Sequence, residues 1–572
     1  MRPVICLLCA LCAQIGLLQA QSERNYLIQD SVLIRTKSGA TLSAVVVRNK
    51  SATEPQPAAL LFFLYSNLQR SLSEAKYAAD HGYVGVVADV RGKRLSVDSL
   101  QPYEKEQEDV YEVIDWISKQ RWCNGKVGMY GGSYSGFAQW AGLKHRVHPA
   151  LKTIVPYVAG IPGKGLPMEN NVFINANYEW AFYVGNNRYL DENANNDRQR
   201  WRGMQYNWYN QGIAYRKIDS VDGTANPMLQ KWLSHPAYDR FWQNMVPFKK
   251  EYKNIGIPIL AIDGYYNDGQ ASGLHYLREH AKYRPDNQDY LVIGPYDHFG
   301  AQKGGITDLR GYKVDSVALI NTRAITFNWF DYVMKGAKRP DILQDRINFQ
   351  VMGTNRWKHV SSLEKMHNQQ LKFYLDTARV GKYRTLNPDQ PDEITALQQS
   401  VDFMDRSQDN NYNFPDPIIQ DQLVMPNGFA FATAPLKTPL ELSGAFSGQL
   451  SVMINKKDFD YSVTFYEKMP DGRFFALGYY LGRASYADNP SKRKLLIPGV
   501  KTAIRFDKTK VISKMISAGS RLLIIINANK NRFAQVNYGT GKDVSDEVLA
   551  DSGAPLQIQW FNDSFVNIPV YK

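Results

Sequence analysis

KVGMYGGSYSGFAQW, residues 126–140, is the stretch on which the reading of the chain turns. An apolar run ends in Gly131 and Gly132, a lone Ser133 stands among small neighbours, and apolar residues then resume at helical spacing. A strand, a tight turn and a helix with Ser133 at the apex would offer its hydroxyl to a ligand, whereas an ordinary turn would leave it in solvent. Gly131 and Gly132 permit a strained turn, and Gly136 permits the helix to pack closely on the strand.

The flanking sequence favours the first alternative. Short apolar runs at Ala58 to Leu64, Val84 to Val90, Lys126 to Tyr130, Leu151 to Tyr157, Ile257 to Ile262 and Tyr290 to Gly294 suit strands buried on both faces of a parallel sheet. Helical patterns lie between them, the clearest at Tyr103 to Gln120, where Val110, Val113, Ile114 and Ile117 share a face and carboxylates crowd the early turns. Alternation of this kind predicts a doubly wound α/β sheet with its ligands beyond the carboxyl ends of the strands, where Ser133 falls. Ahead of it, alternating stretches from Asn25 to Arg48 flank Lys37-Ser38-Gly39-Ala40 and predict an opening hairpin.

The order breaks between Ile161 and Lys250, a segment without a clear strand that holds Trp180, Trp201, Trp208, Trp232 and Trp242. It predicts a mostly helical insertion over the sheet, with its tryptophans chiefly in the core. After Ile347 helices become scarce, and LSVMI at 450–454, YSVTFYEKM before Pro470-Asp471-Gly472, and RLLIIINA at 521–528 predict a β-sandwich. Residues 383–426, rich in Asp, Gln, Asn and Pro, read as a long ordered crossing or linker.

The chain of 572 residues exceeds what one core organises, and its 44% apolar and 22% charged residues are those of a globular protein. Residues 1–20, MRPVICLLCALCAQIGLLQA, read as a secretory signal peptide cut after Ala20, which predicts export to the periplasm or beyond. Cys6, Cys9 and Cys12 lack the context of a lipoprotein cysteine, and the mature chain keeps only Cys123, so no intramolecular disulfide is expected. Loss of Arg2 with the leader lowers the formal charge from +13 to +12. The basic residues are scattered, which fits solubility or attraction to anionic surfaces better than nucleic-acid binding. No further segment is long enough to span a bilayer. Paired Cys/His spacing and a Gly-rich phosphate loop are both missing, and Asp458 with Asp460 is too sparse for calcium, so no metal or cofactor is expected.

A serine hydroxyl needs a base, a group to orient the base and donors for an oxyanion. The usual nucleophile elbow reads G-x-S-x-G, and here the last glycine comes one place late. Of nine histidines, only His298 directly follows a buried strand, in LVIGPYDHFG, which makes it the candidate base. The orienting carboxylate belongs between them in the order Ser, Asp, His. After Ile257 to Ile262 the chain runs Asp263-Gly264-Tyr265-Tyr266-Asn267-Asp268-Gly269, so Asp268 or Asp263 could serve, while Asp297 should point elsewhere.

Several ordered matches resemble the α/β-hydrolases that include bacterial cocaine esterase, α-amino acid ester hydrolases and X-Pro dipeptidyl peptidases. They are Leu64-Tyr65, Asp89-Val90-Arg91-Gly92, Trp122 to Met129, Gly132-Ser133-Tyr134-x-Gly136, Gly264-Tyr265-Tyr266, Gly294-Pro295-Tyr296-x-His298, Val351-Met352-Gly353-x-Asn355-x-Trp357, Pro470-Asp471-Gly472 and Asn537-x-Gly539-Thr540-Gly541. The resemblance implies an α/β-hydrolase domain over 21–160 and 251–345, a helical cap over 161–250 and a C-terminal jelly-roll over 346–572. It makes Ser133 the nucleophile and His298 the general base and acid, with Tyr65 and the Tyr134 amide as oxyanion donors.

The family's aspartate position is Asn267 here, with Asp268 one residue later, and Asp268 is taken as the third member of the triad. A segment often glycine-rich in relatives is replaced by Lys93-Arg94-Leu95-Ser96, and Asp89 and Arg91 are expected to be structural, as a buried ion pair or a loop anchor. Ser135 stands where relatives selecting a free amine often carry an acid, although Glu169, Glu179 or Asp239 in the cap could compensate. The expectation is an exported serine hydrolase acting on a small ester or amide through an acyl-enzyme. An X-Pro dipeptidyl peptidase, an α-amino acid ester hydrolase, or a non-catalytic carbohydrate- or surface-binding protein on the same fold are the alternatives.

Overall fold

The computed structural model describes residues 25–409, 414–507 and 509–572. Residues 1–20, read from the sequence as a leader, and Cys6, Cys9 and Cys12 lie outside the described residues. One sheet has ten strands: β1 (Tyr26–Arg35), β2 (Thr41–Asn49), β3 (Gln56–Phe63), β4 (Val84–Asp89), β5 (Cys123–Gly132), β6 (Leu151–Tyr157), β7 (Ile259–Tyr266), β8 (Asp289–Asp297), β9 (Ile347–Val351) and β10 (Arg356–Val360). Their spatial order is β1-β2-β4-β3-β5-β6-β7-β8-β9-β10. The run from β4 to β9 is parallel, and antiparallel pairs close both edges.

All of the short apolar runs lie in this parallel core, since β4 and β7 are buried along their whole length. The chain leaves β3 toward β4 and returns to the far side of β3 as β5. That reversal opens a crevice at the carboxyl ends of β3 and β5, between Tyr65 and Ser133.

Strands β9 and β10 extend this first sheet, although the sequence boundary at 346 placed them with the sandwich. Alternation reveals a strand but not its partner, and β9 pairs in parallel with β8 through Leu291 and Ile347.

Helices α1 (Leu68–Asp80), α2 (Glu106–Ser118) and α3 (Tyr134–Ala141) connect the early strands. In α2 the buried face is Val110, Val113, Ile114 and Ile117, the spacing read from the sequence. Helix α3 is buried at every position, and its Trp140 stacks on Tyr276 at a centroid distance of 4.5 Å.

The segment from 161 to 250 carries α4 (Ala176–Gly185), α5 (Arg198–Gln211) and shorter helices, with two two-residue strands at Met168–Glu169 and Val172–Phe173. Trp201, Trp208, Trp232 and Trp242 are buried as expected. The Lys93-Arg94 departure joins the cap to the sheet: Lys93 Nζ donates to the carbonyls of Val184 and Asn187, and the Arg94 amide donates to the Arg188 carbonyl. Asp89 accepts from Ser43, Ser66 and Arg94, while Arg91 pairs with Asp109. Both residues thus anchor loops, each with its own partner.

Among the described residues, the C-terminal part is a largely antiparallel β assembly of fourteen strands. The stretch read as a crossing or linker supplies three of them, at Tyr383–Asn387, Ala396–Val401 and Ile419–Gln420. Polar residues facing solvent hid these short strands, since only alternate positions of Ala396–Val401 are buried. Inside the sandwich, Arg483 and Asp460 form a buried, two-point ion pair at 2.8 and 2.9 Å.

Candidate active site

Ser133 sits between β5 and α3 with φ 58° and ψ −118°, a conformation that costs a residue with a side chain about 1–3 kcal/mol. Two features of the sequence hold it there. Gly131 takes φ 129°, and any side chain on it would strike Leu61 and Ser135. Gly136 lies against the Tyr157 carbonyl, 2.9 Å from where a Cβ would stand, so α3 starts immediately beside the sheet. The late glycine therefore serves close packing even though the usual elbow spacing is broken. The neighbouring Ser135 is buried and its hydroxyl is committed to the Phe62 carbonyl at 2.7 Å, whereas the half-buried Ser133 is at the lining of the cavity with no such backbone partner among the described residues.

Ser133, Tyr65, Asp268 and His298 line one cavity of about 1700 Å³, walled on the cap side by Trp180 and Tyr183. Tyr65 follows β3, and its hydroxyl accepts from Trp180 Nε1 at 3.1 Å while also contacting Ser133. Burial pushes the Tyr65 phenol up, and the contacts with Ser133 and Trp180 only partly offset this, so the group keeps its proton at neutral pH. Because Trp180 donates to the oxygen, the phenol proton is not consumed in that contact. The Tyr134 amide opens α3, where no preceding turn can accept from it. A phenol and a helix-terminal N–H thus stand beside Ser133, two donors of the kind an oxyanion requires.

The Tyr134 side chain runs the other way and donates to Glu106, which is buried at the start of α2. Burial pushes the Glu106 carboxyl up to about 7, against the pull of the Tyr134 hydroxyl. A raised carboxyl favours the folded state below its ordinary value of 4.5, and that contribution is lost as pH rises through about 7. The melting temperature of Glu106→Gln is therefore expected to gain on that of the unmodified protein between those two pH values and to hold a constant offset above them. An offset independent of pH would show that Glu106 is ionised throughout.

His298 follows β8, and its carbonyl accepts from Gln302 Nε2 at 2.8 Å. Its Nδ1 lies 3.0 Å from Asn267 Oδ1 and 3.5 Å from Asp268 Oδ1. Asn267 thus holds the hydrogen-bonding place beside the imidazole, and Asp268 lies just beyond it, open to the cavity. Desolvation by the surrounding protein acts to raise the Asp268 carboxyl, but His298 and Lys510 outweigh it and hold the group below the ordinary aspartate value. Asp263 stands one step further back and accepts from Asn267 Nδ2 at 2.8 Å. Asp297 turns to its own loop and accepts from the Gly300 amide at 2.7 Å.

The sandwich braces this loop. Gln270, two residues after Asp268, donates to the Val511 carbonyl and accepts from the Val511 amide, at 2.9 and 2.7 Å. Sequence reasoning missed Trp180, Gln270, Gln302 and Glu106. Aromatic density concealed the first, and nothing in the sequence around the two glutamines or the acidic start of α2 distinguishes them from ordinary polar residues.

Glu169 and Glu179 also line the cavity. Burial raises both carboxyls, Glu179 to about 7, while Asp239 is taken up by His235 at 2.7 Å. Among the described residues no group of three or more His, Cys, Asp or Glu could hold a metal, and no helix is long and apolar enough to cross a membrane.

An elbow serine on a doubly wound sheet, a cap and an all-β partner domain together define an α/β-hydrolase, and the comparisons make the class a serine hydrolase. Residues 38–300 match the family described as X-Pro dipeptidyl-peptidase (S15 family), and residues 343–552 match its C-terminal non-catalytic domain. The relatives of this chain are serine esterases and peptidases of the S15 family, and the chain carries the two domains those models describe. It is 22% identical to cocaine esterase of Rhodococcus sp. (strain MB1 Bresler) over 92% of this chain and 95% of that one. An α-amino acid ester hydrolase superposes with a TM-score of 0.78 at 21% identity, covering 96% and 97% of the two chains. An aminopeptidase from a marine sediment Thaumarchaeota archaeon superposes at 0.79 with 18% identity and the same coverage.

Proposed function

We propose that the protein is an exported serine hydrolase that cleaves small acyl esters or amides through an acyl-enzyme. The observation that carries this reading is the meeting of Ser133, at its strained elbow, with Tyr65 and His298 in one cavity. His298 Nδ1 donates to Asn267, which leaves Nε2 as the base. Nε2 takes the Ser133 proton as Oγ bonds to the acyl carbon, and the carbonyl electron pair moves onto oxygen, facing Tyr65 and the Tyr134 amide. Collapse expels the alcohol or amine, which receives that proton from His298. Water then repeats the sequence to release the acid. Asp268 adds negative charge beside the imidazolium without bonding to it. Export rests on the leader at 1–20 alone.

The aromatic wall and the absence of an acid at Ser135 favour acyl groups without a free amine. A second reading rests on Glu169 and Glu179, two carboxylates facing the same cavity, which could hold the amino terminus of a peptide or amino ester. A panel of p-nitrophenyl acyl esters, α-amino acid esters and Xaa-Pro-anilides separates the two. Simple acyl esters are expected to give the highest kcat/KM. Preference for an amine-bearing substrate, lost in Glu179→Gln or Glu169→Gln, would move the second reading to first place.

A further inference from the structure

Asn267 is an unusual neighbour for a catalytic imidazole, because an amide orients the ring but carries no charge to stabilise the imidazolium. Its surroundings supply one. The amide cannot turn over: Oδ1 faces the Gly269 N–H at 3.2 Å as well as His298, and Nδ2 faces Asp263 Oδ1 at 2.8 Å. Asp263 itself is 3% exposed, and the same Oδ1 accepts from the Gly264 amide at 2.8 Å. Its other oxygen is pressed against Gly273, where a Cβ would come within 2.2 Å. A carboxylate so enclosed has Asn267 as its only side-chain hydrogen-bond partner among the described residues.

We propose that Asp263 is a positioning residue acting through Asn267, so that His298 is held by a relayed carboxylate and amide in place of a directly bonded aspartate. The inference rests on the assignment of Ser133 and His298 above. An ionised Asp263 polarises the amide it accepts from and makes Asn267 Oδ1 a stronger acceptor for the His298 Nδ1–H. Burial raises Asp263 to about 7, with Asp268 acting in the same direction and Asn267, the Gly264 amide and Lys510 opposing, so the relay is charged in assays at pH 8.

The test is a double-mutant cycle on ester turnover at pH 8. Asp263→Asn keeps the acceptor atom and removes the charge, and kcat is expected to fall about tenfold or more with KM within about twofold. In an Asn267→Asp background the imidazole bonds a carboxylate directly, and adding Asp263→Asn is expected to change kcat by less than about twofold. An equal loss in both backgrounds would assign Asp263 a merely structural role and overturn the proposal, as would a parental kcat in Asp263→Asn. Should Asp263→Asn not fold, Asn267→Asp alone decides. A relay already in place leaves a gain under about tenfold, and a larger one overturns the proposal. Fluorophosphonate labelling of the unmodified protein is the control. An unlabelled protein overturns the catalytic reading and the relay with it, whereas a labelled protein indifferent to Asp263→Asn overturns the relay alone.

Discussion

Ser133→Ala is expected to abolish fluorophosphonate labelling of the purified protein and to lower kcat for its best ester about 10⁵- to 10⁶-fold. The expectation follows from the elbow. With φ at 58°, the residue cannot relax into the helix that begins at Tyr134, so its hydroxyl stays at the carboxyl edge of the sheet, in the cavity that Tyr65 and His298 also line. Alanine keeps the same backbone demand and removes only the oxygen, so the fold should be retained. Ser135→Ala is the matched control. Its buried hydroxyl is committed to the Phe62 carbonyl, and its loss should leave labelling intact. Labelling that survives Ser133→Ala, or vanishes with Ser135→Ala, would sink the assignment. A folded, unmodified protein that is never labelled would favour a binding protein on the same fold.

What the sequence disclosed depended on whether the deciding force was local. The turn at Gly131 to Gly136 was legible because small residues are required there by the backbone and by the approach of α3 to Tyr157. The buried parallel strands were legible because both of their faces are apolar. His298 stands out by elimination, as it alone follows such a strand directly. The neighbour of its Nδ1 could not be found in that way. In Asn267-Asp268, one residue of register in a turn decides which side chain faces the ring, and that register is set by anchors far along the chain. Gln270 grips Val511, and the hydroxyls of Tyr265 and Tyr266 reach the carbonyls of Gln350 and Ala476. Strands β9 and β10 escaped assignment to the first sheet for the same reason, since pairing across sheets is a long-range fact. The tryptophan-rich segment was read correctly as mostly core, and that reading hid Trp180, the one half-buried exception whose N–H reaches Tyr65.

Tyr65→Phe should lower kcat about 100- to 1,000-fold while KM moves little, because an oxyanion donor bonds strongly only when charge develops in the transition state. The substitution isolates the hydroxyl. The ring packs edge-on to Phe63 at a centroid distance of 5.8 Å, a contact that phenylalanine retains. Trp180 loses its acceptor in this variant, so part of any loss could come from a shift of the cap. Trp180→Phe measures that part, and it is expected to cost much less than Tyr65→Phe because it leaves the phenol proton in place. Single-turnover acylation is the measurement to make, since it reports the step in which the oxyanion first forms. A loss confined to KM would make Tyr65 a wall of the cavity. A loss below about tenfold in acylation would leave the Tyr134 amide and the α3 terminus to stabilise the intermediate, a weaker arrangement than two converging donors.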